Sequence, residues 1–229
     1  MTLKTVLATS AVALFALSTG ANALTLSFGP TPDPGPTTLN SNFSFDPTTF
    51  AGITLQVGSS VTQFTADFAP GGLFVDFSDE VISATVEYTF LGSEAGYFNS
   101  VVADGVGFDE TEAIGFSVSE AFADLSDQYL PFGFSSVQAG TLDNDGGLGE
   151  DGLTLSFSEI KQLSADSAAV IALFGDNTGD EDRDDFMVGI KITETTRPGG
   201  PAVIPLPAPV FLLLGGLGGL ALLRRRRPA

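Results

Sequence analysis

Residues 82–90 read Ile82-Ser83-Ala84-Thr85-Val86-Glu87-Tyr88-Thr89-Phe90. Every even position is apolar and every odd one polar. In an extended chain, successive side chains point to opposite faces, so this run presents one greasy face and one wet face. That is the signature of a half-buried antiparallel strand. The same period recurs on both sides of it: Phe64/Ala66/Phe68, Leu73/Val75/Phe77, Ile114/Phe116/Val118, Leu153/Leu155/Phe157 and Phe186/Val188/Ile190/Ile192. Leu24–Phe28 also alternates, and Gly29–Thr38 then reads as a Pro/Gly/Thr linker or long turn. Eight or more such strands, parted by Gly, Asp and Asn turns, predict an all-β chain, an antiparallel β-sandwich of jelly-roll-like type. Twenty phenylalanines fit two facing inner sheets better than a cofactor pocket. One short helix is expected between strands, over Glu159–Ala169 or Glu120–Tyr129, with no effect on the class.

Three regions divide the chain. Residues 1–23 combine an early Lys4, an apolar run from Val6 to Leu17 and the small-residue site Ala21-Asn22-Ala23, the parts of a secretory signal peptide. The apolar run falls short of the roughly 20 residues needed to span a bilayer. Residues 24–200 form the body. Residues 201–229 carry an apolar stretch, Ala208–Leu223, expected to form a C-terminal hydrophobic helix and followed at once by Arg224–Arg227. The arginines would hold that end in the cytoplasm. Gly215, Gly216, Gly218 and Gly219 allow close helix approach and weaken the helix.

The body is strongly acidic. All 28 acidic residues lie between Leu24 and Thr195, against the four basic residues Lys161, Arg183, Lys191 and Arg197, a balance of −24. Such a field argues against nucleic acid and anionic lipid as partners. The chain has no cysteine, histidine or tryptophan. A Ser-His-Asp triad, a cysteine nucleophile and an ordinary zinc or copper site are therefore excluded. Stability must come from the apolar core, without disulfides. Paired carboxylates remain as a conceivable hydrolytic device, yet Glu94 has no partner acid by spacing, and the expectation is a protein that is not an enzyme.

The densest chemistry lies in residues 169–192, which read as strand, acidic loop, strand. The loop offers Asp176, Asn177, Asp180, Asp182, Asp184 and Asp185. Oxygen donors at this density suit Ca2+, a hard cation that takes six to eight oxygens, although the spacing is not that of an EF-hand. A bound cation would also offset the repulsion among the acids. The plain alternative is an acidic turn without an ion. A second acidic turn, Asp143–Gly152, begins with Asn144-Asp145-Gly146, above all a hairpin signal.

Two resemblances add to this reading. The order of a Val203-Ile204-Pro205-Leu206-Pro207-Ala208 motif, a short Gly-rich hydrophobic helix and an Arg cluster resembles the VPLPA-CTERM branch of the PEP-CTERM sorting signals. Ile204 is an extra residue within the motif formed by Val203, Pro205, Leu206, Pro207 and Ala208. The resemblance implies processing by an exosortase, a membrane transpeptidase, after transient anchoring in the inner membrane through the C-terminal helix. The acidic hairpin, together with Leu91–Ser100 and its Glu94-Ala95-Gly96-Tyr97-Phe98-Asn99, resembles a domain of unknown function common in exported bacterial proteins with such tails, for which calcium is a suggested ligand. The resulting expectation is a structural or interaction protein of the cell surface or extracellular matrix. The alternative is a calcium-dependent glycan-binding module or adhesin that engages extracellular polysaccharide, with exposed aromatics near Tyr97 or Tyr129.

Overall fold

The computed structural model describes residues 24–29, 36–65, 71–76, 82–94, 96–125, 128–144, 153–176 and 183–196. Residues 1–23, read above as a signal peptide, residues 203–208, read as a sorting motif, and the apolar stretch 208–223 lie outside them, as do Asn177, Asp180, Asp182, Ala66, Phe68 and Phe77. Among the described residues the chain is all-β, with 17 strands and no helix. In chain order these are β1 (Thr25–Phe28), β2 (Pro36–Thr38), β3 (Thr48–Phe50), β4 (Ile53–Leu55), β5 (Ser60–Thr65), β6 (Leu73–Asp76) and β7 (Ile82–Gly92). There follow β8 (Asn99–Ala103), β9 (Val106–Asp109), β10 (Ser117–Leu125), β11 (Gln128–Tyr129), β12 (Phe132–Ser136) and β13 (Gly140–Asp143). The last are β14 (Thr154–Phe157), β15 (Lys161–Ser164), β16 (Ser167–Gly175) and β17 (Phe186–Thr196).

All pairings are antiparallel. The main sheet runs β10-β7-β17-β16-β14-β5-β2, with β15 also on β16. Smaller sheets have the orders β13-β12-β8-β9 and β1-β6-β11, and β3 and β4 form a hairpin. The period-two pattern of β7 is realised as expected: Ala84, Val86, Tyr88 and Phe90 enter one core with Phe186, Val188, Ile190 and Ile192 of β17. Val101, Ala103, Phe132, Phe134 and Leu142 of the smaller sheet complete it. Phenylalanines knit the layers together, most closely where Phe134 stacks on Phe174 with centroids 5.2 Å apart and planes 6° apart.

Strand β16, Ser-Ala-Ala-Val-Ile-Ala-Leu-Phe-Gly, is buried at all nine positions. It has no wet face because the main sheet is covered on both sides. Ala168, Val170, Ala172 and Phe174 enter the first core, and Ala169, Ile171 and Leu173 enter a second. Leu39, Phe43, Ile53 and Leu55, from the 39–55 region, cover this second face. Gly189 of β17 lets the Phe50 ring lie against the sheet, since a Cβ there would stand 2.6 Å from that ring.

Three expectations fail locally. The described residues of 159–169 and 120–129 are not helical: β15 and the start of β16 occupy the first range, and β10 and β11 the second. Helix propensity in the alanine-rich stretch is overridden by the ladders that β16 makes with β14, β15 and β17. Ile114 and Phe116 are not strand residues either; they sit exposed in the turn before β10, where Gly115 adopts φ 92°.

Candidate functional site

The acidic hairpin begins where the β16–β17 ladder ends, at the pair Phe174↔Phe186. Beyond it the carboxylates replace the ladder. The Asp176 N–H donates to Asp185 Oδ2 at 2.8 Å, so a side chain supplies the acceptor that a strand partner would have provided. Asp176, Asp184 and Asp185 are all buried, with Asp184 at 0% exposure. Buried carboxylates persist only where hydrogen bonds or a counter-charge offset their desolvation.

Two groups of donors meet them from different parts of the chain. From β8, Asn99 Nδ2 donates to Asp176 Oδ2 at 2.8 Å and to the Asp185 carbonyl at 3.4 Å. Ser93, just after β7, donates its hydroxyl to the same carbonyl at 2.6 Å. Glu110 joins this side, accepting the Asn99 N–H at 3.4 Å through Oε2. On the other side, Asp184 Oδ2 accepts the Ser44 N–H at 2.6 Å, and the Glu94 N–H donates to the Asp184 carbonyl at 3.3 Å. Ser44 belongs to the segment whose Phe43 and Phe45 cover the second core. The foot of the hairpin thus fastens the main sheet to the segments over both of its faces.

The arrangement leaves two acceptor oxygens without a donor, Asp184 Oδ1 and Asn99 Oδ1, both on fully buried residues. Burial raises the Asp184 carboxyl above the usual carboxylate range. The Ser44 N–H opposes that shift, and the Glu94 charge adds to it. Arg183 reaches Gln63 Oε1 at 3.0 and 3.2 Å through Nη2 and Nε.

Of the six residues predicted as ligands, Asp176 and Asp185 fall in one hydrogen-bonded net and Asp184 in the adjoining one. Asn177, Asp180 and Asp182 lie outside the described residues. Among the described residues no three acidic side chains form a group able to hold a metal ion. Glu94 is exposed, and its described role is the backbone bond to Asp184. Asn99, not predicted as a ligand, joins the start of β8 to the acidic hairpin through Asp176 and Asp185. Its signal was its place at the end of the Gly-Tyr-Phe-Asn run.

Asn144, read as the first residue of a turn, has a further role: it is buried and ties β6 to the residue before Pro131. The Leu73 N–H donates to its Oδ1 at 2.7 Å, and its Nδ2 donates to the Leu73 and Leu130 carbonyls at 2.8 Å each. Residues 145–152, the remainder of that acidic turn, lie outside the described residues.

Two surface features lie elsewhere. Tyr97, Phe98 and Val137 are exposed together, joined by a 3.0 Å bond from the Val137 N–H to the Phe98 carbonyl. A cavity of about 700 Å3 is bordered by Gln128, Tyr129, Ser135, Thr141 and Asp143. Comparison with known protein families, curated proteins and solved structures finds no match to this chain.

Proposed function

We propose that this chain is an exported structural or interaction protein, processed by an exosortase at its C-terminal tail and retained at the cell surface or in extracellular matrix. Calcium would brace the acidic hairpin of its body. The order of signal peptide, acidic body, Pro-Leu-Pro motif, apolar stretch and Arg cluster supports the sorting part. The observation that carries the calcium part is the donor-less Asp184 Oδ1, buried at the foot of a loop that also bears Asn177, Asp180 and Asp182. A hard cation satisfies such an oxygen directly. Asp184 and the loop acids would hold the ion, and Asn99 Oδ1 is a further oxygen of the right kind. The finer architecture, a sandwich of jelly-roll type, belongs to the same proposal. It is supported by the smaller sheets that share the phenylalanine-rich core with the main one.

Thermal unfolding of the purified protein in EDTA and then in millimolar calcium tests the metal. A ligand at 100 times its dissociation constant stabilises by about 2.7 kcal/mol, a shift of several degrees. Magnesium should not reproduce the shift, and Asp180→Asn with Asp182→Asn should diminish it. An unchanged melt would make the acids a solvated surface. Mass spectrometry of the protein recovered from the outer fraction tests the sorting: residues 209–229 still attached would end that part.

A second reading, a calcium-dependent glycan-binding module, is favoured by the exposed Tyr97 and by the cavity beside Tyr129, where hydroxyl, amide and carboxyl groups border an aromatic ring. A glycan array without hits at high protein concentration would reject it.

A further inference from the structure

In the smaller sheet β12 lies between β8 and β13. Val101, Ala103, Phe132, Phe134 and Leu142 point into the core, so the residues that alternate with them stand on the outer face. The register sets these outer residues in rows across the three strands: Val102–Gly133–Asp143, then Ser100–Ser135–Thr141. The middle strand thus offers only a bare Cα and a hydroxymethyl group, between the bulkier Val102 on one side and Thr141 and Asp143 on the other. The result is a trough along β12, part of the cavity of about 700 Å3 that Tyr129 also borders. Two close approaches shape its walls. A Cβ on Gly133 would collide with Asp143 Oδ1, so the glycine is what lets that carboxylate fold in over the floor. A Cβ on Gly29 would collide with the Tyr129 hydroxyl, and the Tyr129 ring packs edge-on against Phe74 with centroids 5.3 Å apart. Held on two sides, the half-buried ring is ordered before any ligand arrives, which lowers the cost of binding.

The cavity is far larger than a bare ion needs and lies within the roughly 300–1,000 Å3 of small organic ligand sites. Its lining has the two characters that a sugar ring has. The apolar C–H face of a pyranose suits the Tyr129 ring and Val102, and its hydroxyls suit Gln128, Ser135 and Thr141. Charge then decides which sugar. Asp104 and Asp143 both border the cavity, and no basic side chain is among the described residues that do. A uronate, sulfated or phosphorylated sugar would be repelled by these carboxylates and by the acidic body around them. An ammonium group would instead gain a charge-assisted hydrogen bond to a carboxylate already lying over the floor.

We propose that the outer face of the β8-β12-β13 sheet is a saccharide subsite selective for sugars with a free amine, as in an extracellular polysaccharide of unacetylated hexosamine. The ring packs on Tyr129 and its ammonium group pairs with Asp143. This rests on the glycan-binding reading given above, to which it adds the place in the fold and the class of sugar. It requires no calcium in the subsite and shares no residue with the acidic hairpin.

The test titrates the full chain, in millimolar calcium, with trisaccharides of glucosamine, N-acetylglucosamine and galacturonate and with the peptide trilysine, by isothermal calorimetry. Mildly acidic buffer keeps the sugar amines protonated and leaves exposed aspartates ionised. The glucosamine trisaccharide should bind about tenfold or more tightly than the other three. Asp143→Asn, which removes the charge from that hydrogen bond, should weaken it by about tenfold. Gly133→Val, which fills the floor and displaces only the end of the Asp143 side chain, should abolish it. Asp166→Asn, an equal charge change at the exposed β15–β16 turn, should leave binding within about twofold and so separates the subsite from general attraction to an acidic protein. If Gly133→Val does not fold, Asp143→Asn against Asp166→Asn carries the comparison. Equal binding of the N-acetylated sugar, lost in Gly133→Val, would overturn the amine selectivity and leave the glycan reading standing. Equal binding of trilysine would overturn the saccharide assignment. Glucosamine binding that neither cavity variant weakens would overturn the location, and no binding of any sugar would remove the glycan reading together with the subsite.

Discussion

Asn144→Ala removes a buried amide that makes three hydrogen bonds at 2.7–2.8 Å. Their loss is not uniform in its consequences. The Leu73 carbonyl keeps the Leu130 N–H, and the Leu130 carbonyl keeps the Phe132 N–H. The Leu73 N–H, by contrast, has Asn144 Oδ1 as its acceptor and is left orphaned in a fully buried position. Two lost bonds at about 0.5–1 kcal/mol each and one orphaned donor at about 1–3 kcal/mol sum to roughly 3 kcal/mol. For a domain of this size that corresponds to about 6–12 °C in melting temperature. Asn144→Asp retains an acceptor for the Leu73 N–H but turns a carboxylate oxygen toward two carbonyls, so it should be as unstable near neutral pH and recover partly on acidification. Differential scanning calorimetry in EDTA, with far-UV circular dichroism to verify the strand content, reads both. A melting temperature for Asn144→Ala within about 2 °C of the parent would refute the assignment of Asn144 as a structural tie.

Phe174→Ala should cost about 3–5 kcal/mol through its cavity, and the double-mutant cycle with Phe134→Ala should return a coupling of about 0.5–1.5 kcal/mol for the stacked pair, measured by urea unfolding. Gly189→Val would drive a branched side chain into the Phe50 ring, 2.6 Å from where its Cβ would stand, and should lower the urea midpoint markedly, whereas Gly58→Ala, with open space around it but φ +88°, should cost only about 1 kcal/mol. Thr111 donates both its hydroxyl and its N–H to Asp109 Oδ1, at 2.5 and 2.8 Å, and holds that carboxyl below the usual range. Its stabilising contribution is therefore present above the ordinary aspartate value and is lost as pH falls through the lowered one. Thr111→Ala should return the Asp109 titration, followed by carboxyl NMR, toward the ordinary value; an unmoved titration would contradict the assigned cause.

Much of the fold was legible because burial imposes the simplest of periods. Ala84/Val86/Tyr88/Phe90 and Phe186/Val188/Ile190/Ile192 alternate in the sequence, and both line the same core. The pattern misleads where an alternating run falls in a turn, as at Ile114 and Phe116. A different gap opens at residues 159–169, where propensity suggests a helix and the partners that make a strand are distant in sequence. Pairing partners in general were not legible: nothing local in β17 announces that it lies between β7 and β16. The candidate site was legible in composition alone. Asp176, Asp184 and Asp185 stood out as acids, but their division between Asn99 and Ser44 depends on long-range packing. Asn144 was hidden for the opposite reason, since it resembled an ordinary turn residue.

The position of β17 has a consequence for the timing of folding. It is the last described strand, yet it occupies the interior of the main sheet, with the early strand β7 on one side and β16 on the other. Until β17 is available, β7 and β16 have no ladder to join them and the first core lacks Phe186, Val188, Ile190 and Ile192. A chain emerging from its N-terminus would therefore have no stable main sheet to form prematurely, and closure would wait on contacts between remote segments, which are slow to make. If the protein is exported as proposed, that order of events keeps the polypeptide threadable until nearly all of its body has crossed, and defers assembly to the far side of the membrane.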